Sequence, residues 1–156
     1  MSGKIAAEIS QTRPFSCREE EAFLNLARSY QFLDQGYAEL FRTHQLSTTQ
    51  YNVLRILRGA GETGLTCSEV AQRMITHDPD ITRLFDRLEA RSLVKRQRSA
   101  TDRRVVMARI TEDGLQLLAK LDQPVLDLHS DQMKHLNPEQ VEQLIGLLEL
   151  LRPLKN

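Results

Sequence analysis

Two six-residue phrases, Leu46-Ser47-Thr48-Thr49-Gln50-Tyr51 and Leu65-Thr66-Cys67-Ser68-Glu69-Val70, carry the same instruction. In each, a hydroxyl residue is followed three places later by Gln or Glu. Such a pair satisfies the free amides of a helix start reciprocally, and the leading Leu staples onto the residue five places on, Leu46 onto Tyr51 and Leu65 onto Val70. Two helix starts are therefore fixed nineteen residues apart. The first of these helices continues through Leu54 and Leu57 and is stopped by Gly59 and Gly61. The next is short and ends near Met74. A chain that restarts so soon is confined to short helices in this stretch.

A third start follows at His77-Asp78-Pro79-Asp80, with Asp78 as the expected N-cap and Pro79 at the first helical position. Ile81, Leu84, Phe85 and Leu88 form one apolar face, while Thr82, Arg83, Asp86 and Arg87 point elsewhere. Three helices in quick succession, the third with an arginine-bearing outer face, are in the order of a helix-turn-helix. Leu93–Gln97 and Val105–Ile110 then read as strands, joined by the charged, turn-forming Arg98–Arg104. A hairpin placed directly after a helix-turn-helix is a wing.

The flanks are helical. The first fifteen residues have no clear period and are expected to form a flexible arm. Ser16, with Glu19 at the box position, is expected to open a helix bearing Phe23, Leu26, Ala27, Tyr30, Leu33, Tyr37, Leu40 and Phe41 at helical spacing. At ~1.5 Å per residue this helix is roughly 40 Å long. That exceeds the needs of one small domain and suggests reach toward a second subunit. Thr111 caps a later helix, with Glu112 and Asp113 suited to the dipole. Its stripe is Leu115, Leu118, Leu121, Val125 and Leu128, with a kink expected at Pro124. Asn137-Pro138 starts the last helix, with Gln140 at the box position and a Leu136–Val141 staple; Leu144, Leu147, Leu148 and Leu151 follow, and Pro153 ends it. The expected fold is mainly α with a small β-hairpin wing. It is one domain, 16–156, behind the arm 1–15. Residues 46–110 form the winged lobe, and 16–45 with 111–156 form a helical dimerisation region.

Charge is unevenly placed. The 156 residues hold 21 basic and 21 acidic side chains, yet Thr82–Ile110 holds nine basic against three acidic. Residues 1–81 hold eight against ten, and 111–156 four against eight. A neutral chain with one basic segment presents a side suited to a polyanion; a solvated surface is the plainer alternative. No run of about 18 apolar residues is present. The first residues are too poor in apolar side chains for a signal peptide, so a cytoplasmic address is expected. Cys17 and Cys67 form no CxxC, and His44, His77, His129 and His135 have no metal-ligand spacing. No Ser-His-Asp, HExxH or phosphate-binding glycine loop occurs. No catalytic residue, metal or cofactor is expected.

Asp102-Arg103-Arg104, the strand Val105–Ile110 and Thr111-Glu112-Asp113-Gly114 are similar to the wing signature of the MarR family. Ile81-Thr82-Arg83-Leu84 and Asp86-Arg87-Leu88-Glu89 resemble that family's recognition helix, and Leu65–Ala71 resembles the helix before it. The likeness runs from about Ser16 to Leu151. One departure is Asp78-Pro79-Asp80, which puts two acids where small polar residues are more usual in the family. The resemblance implies a winged helix-turn-helix homodimer that binds double-stranded DNA at a pseudo-palindromic operator, in most cases as a ligand-responsive repressor.

Physical chemistry assigns the parts in the same sense. The N-terminal residues of a recognition helix face base edges in the major groove. Asp80, Thr82 and Arg83 are expected nearest the bases: Asp80 as acceptor from a cytosine amine, Thr82 on a thymine methyl or as a hydrogen-bond partner, Arg83 forked onto guanine or clamping a phosphate. Arg87, one turn on, suits a phosphate. The alternative is a surface helix whose arginines pair with Asp86 or Glu89. The resemblance gives Arg104 the minor-groove insertion, where the potential is most negative. Asp102 then orients the loop, and Arg98 and Arg103 add phosphate contacts; a solvated loop is the alternative. Thr66 and Ser68 stand at a helix N-terminus that suits phosphate, although capping explains Thr66 as well. The resemblance also implies a dimer interface including Leu144, Leu147, Leu148 and Leu151, which are otherwise core. It implies a small phenolic or anionic effector, for which Tyr30, Tyr37, Phe41 and Tyr51 are the candidate lining, or else plain core. Cys17 falls in the first turn of its expected helix, where a dipole lowers a thiol pKa; an incidental thiol is the alternative. An adaptor of the same fold that binds no DNA is the competing function.

Overall fold

Capping decides where most of the helices begin. The computed structural model describes residues 3–76, 80–99, 102 and 104–152. They fall into two compact units, Met1–Thr48 and Thr49–Asn156. The expectations for Asp78, Pro79, Arg103 and Pro153 lie outside the described residues.

In the first unit, α1 spans Lys4–Glu8 and α2 spans Arg18–Arg42. α1 corrects the expectation of an irregular arm. Its Ile5 is buried, the Gly3 amide donates to Glu21 Oε1 at 2.8 Å, and Glu8 pairs with Arg28 at 3.8 Å. One apolar side chain and two polar ties hold a turn too short to show a period in the sequence. α2 also starts one residue later than expected. Its N-cap is Cys17, whose Sγ accepts from the Glu20 amide at 3.4 Å, and the Ser16 amide donates to Glu20 Oε2 at 2.6 Å. The cap is thus Cys17 in place of Ser16, and the Glu20 carboxylate bonds back to the Ser16 amide just ahead of the cap. The shift also brings Glu21 to Arg18 at 2.7 Å.

The second unit contains α3 (Thr48–Ala60), a 3₁₀ turn (Gly61–Thr63), β1 (Leu65–Thr66), α4 (Cys67–Arg73), α5 (Ile81–Ala90), β2 (Val94–Arg98), β3 (Val106–Ile110), α6 (Glu112–Met133) and α7 (Pro138–Leu151). The sheet is antiparallel in the order β1-β3-β2, with Leu65 opposite Ala108, Val94 opposite Ile110 and Arg98 opposite Val106. The hairpin is the expected wing; β1 was not expected. Two residues cannot show alternation, and β1 exists because β3 offers a free edge. Gly64 delivers the chain to that edge at φ +68°, with the Ala108 carbonyl against the place a Cβ would take.

The capping boxes of Thr66 with Glu69 and of Asn137 with Gln140 form as expected. Thr111 caps α6, accepting from the Gly114 amide at 3.1 Å and donating to the Ser92 carbonyl at 2.6 Å. Val53, Leu54, Leu57, Val70, Phe85, Leu88, Ala108, Leu118 and Leu121 are fully buried. α4 packs on α5 and β3, and α5 packs on β2. Arg58 of α3 forks onto Asp122 of α6, both contacts at 2.9 Å. α6 passes through Pro124 as one segment. α7 buries none of its residues. Leu147 is 66% exposed and Leu150 80%; Leu144 and Leu151 are exposed as well, and Leu148 is half-buried. Leu144, Leu147 and Leu151 are therefore not buried as core within this chain.

Candidate nucleic-acid interface

The N-cap of α5 is Asp80. Asp80 Oδ1 accepts from the Arg83 amide at 3.3 Å, and Oδ2 pairs with Arg83 Nε at 3.1 Å. The carboxylate expected to meet a cytosine is therefore engaged in capping its own helix and holding Arg83. Leu84, Phe85 and Leu88 turn inward, which leaves Thr82, Arg83, Asp86 and Arg87 exposed along the other side. Asp86 and Glu89 do not pair with Arg83 or Arg87, as the surface-helix alternative required. Both bond to Arg96 of β2, each with a 2.6 Å contact. The Arg87 side chain is exposed and makes no hydrogen bond or ion pair among the described residues.

The wing loop is held by Asp102. Its Oδ1 accepts from the Arg104 amide at 2.9 Å, its carbonyl accepts from the Val105 amide at 3.0 Å, and Ser99 donates to the Val105 carbonyl at 2.8 Å. Asp102 thus fixes the backbone and leaves the guanidinium of Arg104 exposed, with no partner among the described residues. Arg98 ends β2, exposed beside this loop.

Two arginines of the basic segment are turned inward. Arg96 is described above. Arg109 donates from Nε to the Glu62 carbonyl at 2.6 Å and from Nη1 to Gln97 at 3.3 Å. Charge counting could not separate these from the outward ones.

Thr66 requires a correction. Its amide and hydroxyl both donate to Glu69 Oε2 at 2.8 Å, and its Oγ1 accepts from the Glu69 amide at 3.2 Å. These bonds lower the Glu69 carboxylate from its ordinary pKa. The Glu69 carboxylate lies at the point expected for a phosphate, and the bonds that Thr66 makes are those of a capping box. Thr66→Ala is expected to cost about 1 kcal/mol of stability in urea unfolding, with DNA affinity unchanged when measured well below the melting transition. Ser68 is exposed on the same turn.

The candidate effector residues divide between the two units. In the first, Tyr30 is exposed, Tyr37 is half-buried and Phe41 is buried, with the Tyr37 and Phe41 rings 5.7 Å apart. In the second, Tyr51 is buried with the Arg55 guanidinium 6.0 Å from its ring centre. Burial pushes the Tyr51 phenol up against the pull of Arg55, so the group is neutral at physiological pH. Cys67 is half-buried, and burial likewise pushes its thiol up. Among the described residues, no group of His, Cys, Asp and Glu is placed to hold a metal, and no helix is long and apolar enough to cross a membrane.

Comparison with known proteins agrees with this geometry. Residues 44–105 match the family model described as "MarR family". The crystal structure of a MarR transcription factor from Planctomyces limnophilus is 41% identical, with a TM-score of 0.67, covering 88% of this chain and 99% of the other. The HTH-type transcriptional repressor IacR of Pseudomonas putida is 31% identical, over 86% of this chain and 79% of its own length. A variant of MarR from E. coli, solved in complex with operator DNA, is 26% identical with a TM-score of 0.75, covering 82% and 91%. By these matches and by its winged helix-turn-helix, the chain belongs to the MarR family of DNA-binding transcriptional regulators.

Proposed function

We propose that this chain acts as a homodimeric repressor on a pseudo-palindromic operator. In this reading Thr82, Arg83 and Arg87 of α5 meet the major groove, with Arg83 steadied by Asp80. Arg104 enters the adjacent minor groove, and Arg98 and Arg103 flank it on phosphates. The observation that carries the reading is the Asp102–Arg104 arrangement. A carboxylate is used on the backbone of the loop while the neighbouring guanidinium is left outside. Binding DNA in this way rests on phosphate neutralisation for affinity and on base and groove contacts for register.

The dimer reading rests on α7, which buries no residue of its own chain while exposing Leu147 and Leu150. α2 adds Phe23, 68% exposed, and Phe32, 67% exposed. Apolar side chains in such number favour burial against a second copy. Leu147→Lys with Leu150→Lys is expected to convert a dimer to a monomer in sedimentation at micromolar concentration. A dimer that persists in the double variant would place the interface elsewhere. A small phenolic or anionic effector is proposed to act by binding one dimer conformation more tightly than the other.

Selection of genomic DNA fragments by the purified protein at near-physiological salt tests the reading. Enrichment of one inverted repeat supports it. No enrichment, by protein shown to be folded and free of bound small molecules, favours an adaptor of the same fold.

A further inference from the structure

Arg96 stands on β2, an edge strand of the sheet, and reaches back over the C-terminal half of α5. The reach is short because α5 ends in a tight reversal: Ser92 takes φ +57° and its amide bonds to the Glu89 carbonyl at 2.8 Å, while Leu93 bonds to the Leu88 carbonyl at 3.0 Å. Three contacts then converge on one carboxylate. The Arg96 amide donates to Glu89 Oε1 at 2.9 Å, and its Nε and Nη2 donate to Oε2 at 3.0 and 2.6 Å. Nη2 also donates to Asp86 at 2.6 Å. The side chain of Arg96 is only 22% exposed.

We infer that Arg96 is a positioning residue for DNA recognition: it locks the recognition helix to the wing strand through Glu89 and offsets part of the negative charge of Asp86 and Glu89 on the helix that faces DNA. The inference rests on the DNA-binding reading above. Two reading elements must meet two different grooves at once, so their separation has to be fixed in advance. A guanidinium fork is suited to this, because its donors are planar and held in fixed relation. A lysine supplies the charge without the fork. The hydrogen bonds from Arg96 also lower the Glu89 pKa from its ordinary value, so the lock stays ionised wherever DNA binding is measured near neutral pH. The strut also satisfies an amide on the open edge of the sheet, which would otherwise stay unpaired.

The inference has a sign that simple electrostatics does not share. Glu89→Gln removes a negative charge from a DNA-facing helix. If charge alone mattered, or if Arg96 were itself a phosphate contact freed by the change, affinity would rise. If Arg96 positions the helix, specific binding falls.

The experiment measures the full-length protein on two duplexes of equal length: the fragment enriched by the wild type, and a scrambled version of it. Wild type, Glu89→Gln and Arg96→Lys are compared, each with its active fraction titrated. The expected result is a drop of about tenfold in the ratio of specific to non-specific affinity for both variants, with non-specific affinity unchanged or higher. An unchanged ratio with tighter binding overturns the inference in favour of a charge effect. An equal loss on both duplexes overturns it in favour of a purely structural pair. If the wild type enriches no fragment, the DNA-binding reading fails and this inference fails with it.

Discussion

Arg104→Ala weakens specific DNA binding on the order of a hundredfold for a dimer carrying two wings, at about 1–3 kcal/mol per wing. The side chain is exposed, and its loop is already held by the Asp102 carboxylate on the Arg104 amide at 2.9 Å. On the Arg104 side that bond uses only the backbone amide, so it survives the substitution. The loss therefore reports on contact with DNA. It is accompanied by a flatter salt dependence, the slope of log K against log salt falling by about one for each charge withdrawn from the DNA. Arg109→Ala is the matched control. It removes the same charge from the same segment, but Arg109 is bonded inward to the Glu62 carbonyl and Gln97. It is expected to lower stability and leave the salt slope close to that of the wild type. Fluorescence anisotropy across a salt series checks both. Equal slopes and equal losses for the two variants would mean that the wing acts only through net charge, and the minor-groove assignment would be wrong.

The contrast between these two arginines also marks the limit of what the chain reveals before it is folded. Capping boxes are local, and Thr66/Glu69 and Asn137/Gln140 form where the sequence places them. The faces of α5 follow from its period, so Leu84, Phe85 and Leu88 are buried as expected. Where two adjacent residues compete for one cap, local rules are indecisive. Ser16 yields to Cys17 because the later start gives Glu20 and Glu21 partners in Ser16, Arg18 and Gly3. Asp80 is the N-cap of α5, which starts at Ile81. Arg96 was invisible for a different reason. It counts as one of nine basic residues until the turn at Ser92 folds β2 back onto α5 and gives it two acids. β1 and α1 are likewise products of tertiary pairing, too short to carry a pattern of their own.

Gly114→Ala is expected to destabilise the protein by about 2 kcal/mol through overpacking, although alanine is the better helix former and Gly114 lies inside α6. A Cβ at this position would sit against the Leu93 carbonyl, and it would meet Ile110 Cγ1 at 2.6 Å. The first obstacle is backbone and cannot swing aside. Leu93 joins α5 to β2, and its carbonyl also accepts from the Thr111 amide at 3.1 Å. The glycine of the Thr111–Gly114 phrase is thus explained by close approach, since its own amide does nothing more unusual than donate to the Thr111 hydroxyl cap. Gly59→Ala in α3 provides the opposite sign. Nothing lies within 4 Å of its Cβ position, so the substitution is expected to gain about 0.5 kcal/mol by restricting the unfolded chain. Urea unfolding at one fixed protein concentration compares the two, because any association would make the midpoint depend on concentration. Should Gly114→Ala prove neutral, the start of α6 must move away from the Leu93 turn at little cost. The wing strand and the recognition helix are both anchored at that turn. The variant would then lose the ratio of specific to non-specific DNA affinity in place of stability, so the two measurements together locate where the strain goes.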